Sequence, residues 1–529
     1  MKKQKVFYFL IFIFFLLLIK TDYRIASGVN CCGDDFDYYI HAQTLAIDYD
    51  FDYSNQIPNY SKFYYTNGSK IAPVGFSGSG ILAAPFLFIG NILDEWFGLT
   101  DNLFNYKIIT YSLSPLFYLS LSAILLQKSL ERINVSLSRL KVLLIISGSG
   151  VAYYALERFS MTHVYEVFIN CMLIYCSILA FNDEKKNKVS TFFLPVVIVI
   201  GLLIKLSNFY ILLLPLLVKE LLKSFNTSSV PEKRNSLFLL SGTVTASFVF
   251  WGINMLIYGK VILNPSETYS AESQASGYIS STTNLFDFIS GIIRTTLIVN
   301  LSSEFGAFWF SPAIFLILLY IFYFLFKKRF KLFFLTSLIY FFNIAIVNLW
   351  QSTASSYGFR YMYSLIPIGI LIFYATETKI NSKIIKYYLL PFSIFGLFSV
   401  FMFESTEFVQ LSTIDVVNSF GKTIRYSQPD YLIGIFKSIF VIDGYLKLFS
   451  TSFLGLFLFK SFIVLFGIDN FYNTLTFLNL PLDNLDFLTL IENLQAISVI
   501  QILGFMMIVV GIIYLLSRSA LKLDADIHN

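Results

Sequence analysis

An all-α protein that crosses a membrane many times is the fold class the sequence predicts, and three observations predict it. The 529 residues are 56% hydrophobic and 18% aromatic but only 13% charged, with a mean hydropathy of +0.69; a soluble chain carries roughly a quarter charged residues. Apolar runs recur along most of the length, so the bilayer is the solvent that most of the chain meets. The charges between those runs are sorted by position as well, with lysine and arginine gathered in alternate connections.

In chain order, the runs able to span lie near 6–19, 104–126, 142–156, 164–181, 191–203, 206–218, 237–259, 303–326, 332–350, 361–375, 387–403 and 496–516. The first follows Lys2, Lys3 and Lys5 with no small-x-small cleavage site after it, and reads as an uncleaved membrane helix. About twelve spans put both termini in the cytoplasm. The segments this threading places inside are 1–5, 127–141, 182–190, 219–235, 327–331, 376–386 and 517–529. They hold 23 of the 38 basic residues, and every one is basic, as the positive-inside rule requires. Several runs are shorter than the roughly 20 residues of a straight span, so their boundaries are soft.

The segment 20–103 is then an outer loop. Within it, "IAPVGFSGSGILAAPFLFIGNIL" (71–93) is apolar enough to span, yet counting it would invert every later loop. It reads as a helix lying in the outer interface or dipping into the protein, with Pro73, Gly75, Gly78 and Gly80 arguing against a long regular one. The stretch 404–495 also lies outside, as amphipathic helices on the outer leaflet of which one or two could dip in or span as a pair. Three parts result: a transmembrane module 1–403, an outer helical segment 404–495, and a last span with its tail, 496–529.

Composition excludes other classes. The net charge of +5 says little about nucleic acid, because the distribution of the charge matters more than its sum. Cys31 and Cys32 are adjacent, and Cys171 and Cys176 fall on different faces of one helix, so four cysteines give no disulfide framework. Three histidines are too few and too scattered for a histidine-based metal cage.

Polar motifs converge on the outer side. "GDDFDYYIHAQTLAIDYDFDY" (33–53) holds six aspartates. Asp48, Asp50 and Asp52 alternate with aromatics as an extended, solvated segment would. Asp34 and Asp35 suit the start of a helix beginning near Phe36, a place equally fit for a base acting on a bound substrate. Lys205 stands at the tip of a hairpin, either snorkelling to the interface or holding a lipid phosphate, and Arg158 and Arg360 lie at outer helix ends where they could complete such a pocket. His163 opens a span, where an interfacial histidine needs no ligand to explain it. An aromatic belt accounts for Trp309 and its neighbours but not for the carboxylate of Glu304 beside them.

With these residues in view, the chain resembles the GT-C superfamily of membrane glycosyltransferases, near the bacterial relatives of the protein O-mannosyltransferases and the aminoarabinose transferase of lipid A. "GDDFDYYIHAQTLAIDYDFD" is similar to the first-loop motif of that superfamily, and "APVGFSGSGILAAPF" to the juxtamembrane helix after it. "ERFSMTHVYEVF", with Met161, Thr162 and His163, resembles a Met-Ser-His turn; "SSEFGAFWFSP" and "SSYGFRYMYSLIP" resemble a Gly-aromatic-Ser-Pro and a Gly-x-Arg-Tyr segment. The likeness covers roughly residues 1–375 in matching order, with each motif short by itself.

The resemblance implies transfer of a monosaccharide from a polyprenyl-phosphate donor to an envelope acceptor (glycan, glycolipid or protein) with inversion. It implies an aspartate base, Asp34 or its neighbour Asp35. By position, the donor phosphate falls to Lys205, Arg158 and Arg360. Tyr38, Tyr39, Trp309, His163 and Glu304 are candidates for the substrate's other contacts. Members of the superfamily divide between metal-independent and metal-dependent catalysis, and the sequence indicates no metal site and no other cofactor. The expected partners are the lipid-linked sugar, membrane lipids and the envelope acceptor, without nucleic acid. The expected location is a bacterial cytoplasmic membrane with the site facing the periplasm or exterior. The rival is a transporter or flippase of lipid-linked sugars, which would need polar groups in mid-membrane and access to both faces.

Overall fold

The structure is a computed structural model. It describes residues 19, 33–57, 64–98, 105–182, 187–225, 236–264, 266–269, 285–350, 357–376, 381–403, 413–417, 423–427, 431–440, 445, 448–449, 452–477, 494, 497–504, 506–508 and 510–511. The expected first span apart from Ile19, the Cys31–Cys32 pair and part of the last span lie outside these residues.

Helices dominate, as expected of an all-α membrane protein. A first helix, α1 (Gly33–Gln43), runs into one widened turn at Thr44–Asp48. A small antiparallel hairpin, β1 (Tyr65–Asn67) and β2 (Lys70–Ala72), leads to α2 (Gly78–Phe97). There follow α3 (Tyr106–Arg132), α4 (Arg139–Leu156), α5 (His163–Asn182), α6 (Asn187–Ile204), α7 (Leu214–Phe225) and α8 (Ser236–Tyr258). The second half carries α9 (Leu285–Leu301), α10 (Pro312–Phe326), α11 (Phe330–Trp350), α12 (Ile366–Ala375) and α13 (Leu390–Met402). Beyond them lie a hairpin of β3 (Thr413–Val417) and β4 (Thr423–Ser427), then α14 (Tyr431–Ser438), α15 (Phe453–Phe466) and α16 (Ile468–Phe477).

Six of these helices are long and apolar enough to cross a membrane by length and composition: α2, α3, α4, α5, α8 and α11. Five coincide with expected spans. Burial sorts them: 89% of the apolar window of α5 is enclosed by other helices, against 17% for α8. Thus α5 is the axis of the bundle, while α8 turns Leu237, Leu240, Phe248 and Trp251 outward, an arrangement stable only where the surroundings are themselves apolar.

Several expectations need correction. The motif 71–93 does contain a long regular helix, because its glycines precede α2 or pack against neighbours, and Pro85 is accommodated inside it. The run 303–326 is not one span: α9 ends at Leu301, Gly306 N–H bonds back to Ser302 O, a single turn covers Ala307–Phe310, and Pro312 starts α10 afresh. The run 206–218 opens with a tight 3-10 turn at Phe209–Leu213, and α7 extends to Phe225, past the expected membrane edge. The segment 404–495 includes the β3–β4 hairpin as well as helices.

The bundle closes through backbone contact at small residues. A Cβ on Gly148 would lie 2.0 Å from Ser393 O, and one on Gly396 would lie 2.0 Å from Gly148 O, so α4 and α13 touch main chain to main chain. At the same level Gly150, with φ +99°, kinks α4. Gly396→Val must wedge these helices apart. It is expected to cost about 1–3 kcal/mol of stability, read as a lower melting temperature in detergent, and an unchanged melting curve would show that the contact is not tight.

Candidate functional site

Four separated segments bring their charged residues to one place. Gly33 begins α1, so Asp34 and Asp35 lie in its first turn, not ahead of a helix starting near Phe36. There the exposed amide ends favour negative charge. Arg158 comes from the turn after α4, Lys205 from the residue after α6, and Arg360 from the 3-10 turn Arg360–Leu365 ahead of α12.

Asp35 and Arg158 are both buried. Arg158 donates to Asp35 Oδ2 from Nη2 at 2.6 Å and from Nε at 3.1 Å. Burial pushes the Asp35 carboxyl up, and the guanidinium pulls it part of the way back. Ser160 Oγ donates to Asp35 O at 2.5 Å and hydrogen-bonds Tyr111 Oη at 2.8 Å. Tyr39 meets the Tyr111 ring edge-on at 5.2 Å. Asp35 Oδ1 is buried without a hydrogen-bond partner among the described residues.

Asp34 differs in kind. Its side chain is 44% exposed, and its nearest cation, Arg360 Nη2, stands 3.9 Å from Oδ2. Nε of Arg360 is buried with no hydrogen-bond partner among the described residues. Of the two neighbouring acids, one is locked in an ion pair and the other is accessible and loosely paired.

Lys205 does not snorkel. Its side chain is 15% exposed, its ammonium lies 3.7 Å from Glu166 Oε1, and it sits 3.7 Å over the Tyr361 ring. Burial lowers the lysine to about 8, with the Glu166 charge opposing that shift. Glu166, in the first turn of α5, is also held by Thr162 Oγ1 at 2.7 Å and Asn208 Nδ2 at 3.1 Å. It was not among the expected site residues. One turn inside an apolar run it reads as part of a span, and only its isolation there could have marked it. His163 is buried among Tyr154, Tyr361 and Tyr363, with Nδ1 3.2 Å from Glu166 Oε1 and Nε2 unpartnered among the described residues.

The remaining candidates fall elsewhere. Tyr38 is buried against Gly75. Glu304 is buried at the break between α9 and α10, where the adjacent Phe305 packs on Tyr357. Trp309 packs on Phe308 and Phe392, in an aromatic cluster with Phe315 and Tyr388. That cluster explains the ring by packing and does not join it to the charged group. Asp50 and Asp52 are exposed but form turns, not an extended strand: each accepts a backbone N–H two residues on, from Asp52 and Ser54, at 3.0 Å.

No family model, curated protein or solved structure matches this chain. The reading of the site therefore rests on its own chemistry. Among the described residues no three His, Cys, Asp or Glu side chains gather as metal ligands do. What gathers is three acids and three bases. One acid is accessible, two cations face it, and buried polar atoms on Asp35, His163 and Arg360 are unsaturated, which suits an anionic ligand carrying hydroxyl groups.

Proposed function

We propose that the chain is an integral membrane glycosyltransferase of GT-C type, moving a monosaccharide from a polyprenyl-phosphate donor to an envelope acceptor on the outer face. The observation that carries this reading is the convergence of Asp34 and Asp35 with Arg158, Lys205 and Arg360, drawn from four segments of an otherwise apolar bundle.

The step needs a base, cations for the leaving phosphate and a fixed sugar. The acceptor hydroxyl oxygen attacks the anomeric carbon from the face opposite the phosphate and passes its proton to Asp34. The bond between that carbon and the phosphate oxygen breaks, its electron pair leaving with the polyprenyl phosphate and giving that phosphate one more negative charge. Asp34 is suited to the proton by its exposure and loose pairing, whereas Asp35 is committed to Arg158.

The charge balance favours the transition state. As Asp34 takes the proton it loses its hold on Arg360, just as the phosphate gains charge. Arg360 thus shifts its attraction from the base to the leaving group, and Lys205 supplies a second cation. Interactions that strengthen as charge moves lower the barrier instead of merely tightening binding.

Lys205 gives a testable consequence. Lysine is charged below its pKa, so donor KM is expected to be flat up to about pH 8 and to rise above it. Lys205→Ala should raise donor KM at neutral pH about tenfold or more with a smaller effect on kcat, and Lys205→Arg should carry the charge, and the flat region, to higher pH. Initial-rate measurements across pH 6–10 check this; an unchanged donor KM in the alanine variant would remove Lys205 from the donor site.

A further inference from the structure

Asp37 lies one turn after Asp34 on α1 and is buried. Its Oδ2 accepts the Gly75 N–H at 3.1 Å. The carbonyl of the same glycine accepts from His41 Nε2 at 2.9 Å and from Tyr258 Oη of α8 at 3.2 Å. A carbonyl can only accept, so Nε2 carries the proton and Nδ1 receives the Tyr53 hydroxyl at 2.8 Å. Burial holds His41 down to about 4, in keeping with this neutral tautomer. Both polar groups of Gly75 are thus spoken for by α1 and α8.

Downstream, the chain from Gly75 to Gly80 is pressed between two elements. A Cβ on Gly80 would lie 2.5 Å from His41 Cβ and 2.8 Å from Tyr38 O of α1. A Cβ on Gly78 would lie 2.4 Å from Ile204 N and 2.6 Å from Leu203 C, and Lys205 is the next residue. The strap 75–80 is therefore packed tightly on both sides, against the Asp37–Ala42 part of α1, the helix whose first turn carries Asp34, and against the backbone of Leu203 and Ile204 just ahead of Lys205.

We propose that Asp37 is a positioning residue which, through its bond to Gly75, holds this strap and so fixes the separation between Asp34 and Lys205. The inference rests on the transferase reading for its kinetic consequence, but its structural part stands apart from it. Burial, with the Asp34 charge adding to it, pushes Asp37 up to about 8, so at neutral pH the acid is mostly uncharged and asparagine copies it, down to the oxygen that accepts the Gly75 N–H.

The test compares the full chain in liposomes with its Asp37→Asn, Asp37→Ala and Gly78→Ala forms, by hydrogen exchange of peptides covering 73–80 and 203–208 and by initial rates. Asp37→Ala is expected to speed exchange in both peptides and to raise donor KM about tenfold, with kcat changed less. Gly78→Ala is expected to alter the 203–208 peptide and donor KM with α1 undisturbed, and Asp37→Asn to match wild type within about threefold throughout. Faster exchange confined to 73–80 would make Asp37 a local brace and overturn the proposal. Asn and Ala variants equally devoid of transfer would instead make it an acid or base. Absence of transfer in the wild type would defeat the transferase reading, while the exchange of 203–208 would still decide whether the strap couples to Lys205.

Discussion

Asp34→Asn is expected to abolish sugar transfer while leaving the amount of protein in the membrane unchanged. The amide keeps the size and the contact distance to Arg360 but cannot take a proton at neutral pH. General-base removal costs about a hundredfold to ten-thousandfold, and here the variant loses more, because the charge that passes from Asp34 to the phosphate is missing at the start. Since Asp34 is 44% exposed and its partner is 3.9 Å away, stability has little stake in it. Turnover in liposomes and a blot of the membrane fraction check both halves. Retained activity would hand the base role to Asp35 or end it.

Arg158→Ala is expected to damage the fold and the site together. It leaves Asp35 buried with its strongest partner gone, and an uncompensated buried charge costs about 3–5 kcal/mol unless the group takes up a proton. Lysine cannot reproduce the two-nitrogen grip on Oδ2, so Arg158→Lys recovers little. The double variant Arg158→Ala with Asp35→Asn removes the stranded charge and is expected to regain melting temperature without regaining transfer. Equal stability of the single and double variants would show that the pair is not coupled.

How much of this was legible beforehand depends on the kind of information needed. The five long helices that fall on expected spans follow from hydropathy, which is additive along the chain. Arg158, Lys205 and Arg360 each lie beside the end of an apolar run and the Asp34–Asp35 pair in the loop after the first run, so their places between the runs marked them as one group. Glu166 was invisible because a window average absorbs one carboxylate. The break between Leu301 and Pro312 was hidden for the same reason, as Phe305, Phe308, Trp309 and Phe310 keep the hydropathy high across a turn made by Gly306 and Pro312. The Gly75 clamp depends on partners up to 183 residues distant, and no local pattern encodes them. Pro73 and the glycines after it did signal unusual backbone, but as a spacer between α1 and α6, not as an irregular helix.

The measurement that meets the central claim most directly is transfer of labelled sugar from a panel of polyprenyl-phosphate monosaccharides, with purified protein in liposomes, envelope extract as acceptor, and Asp34→Asn alongside. The account predicts label moving to an acceptor with the wild type alone, from one or a few donors. Label that crosses the bilayer still attached to its lipid, with no acceptor labelled by any donor, would contradict it and identify a transporter of lipid-linked sugars in its place.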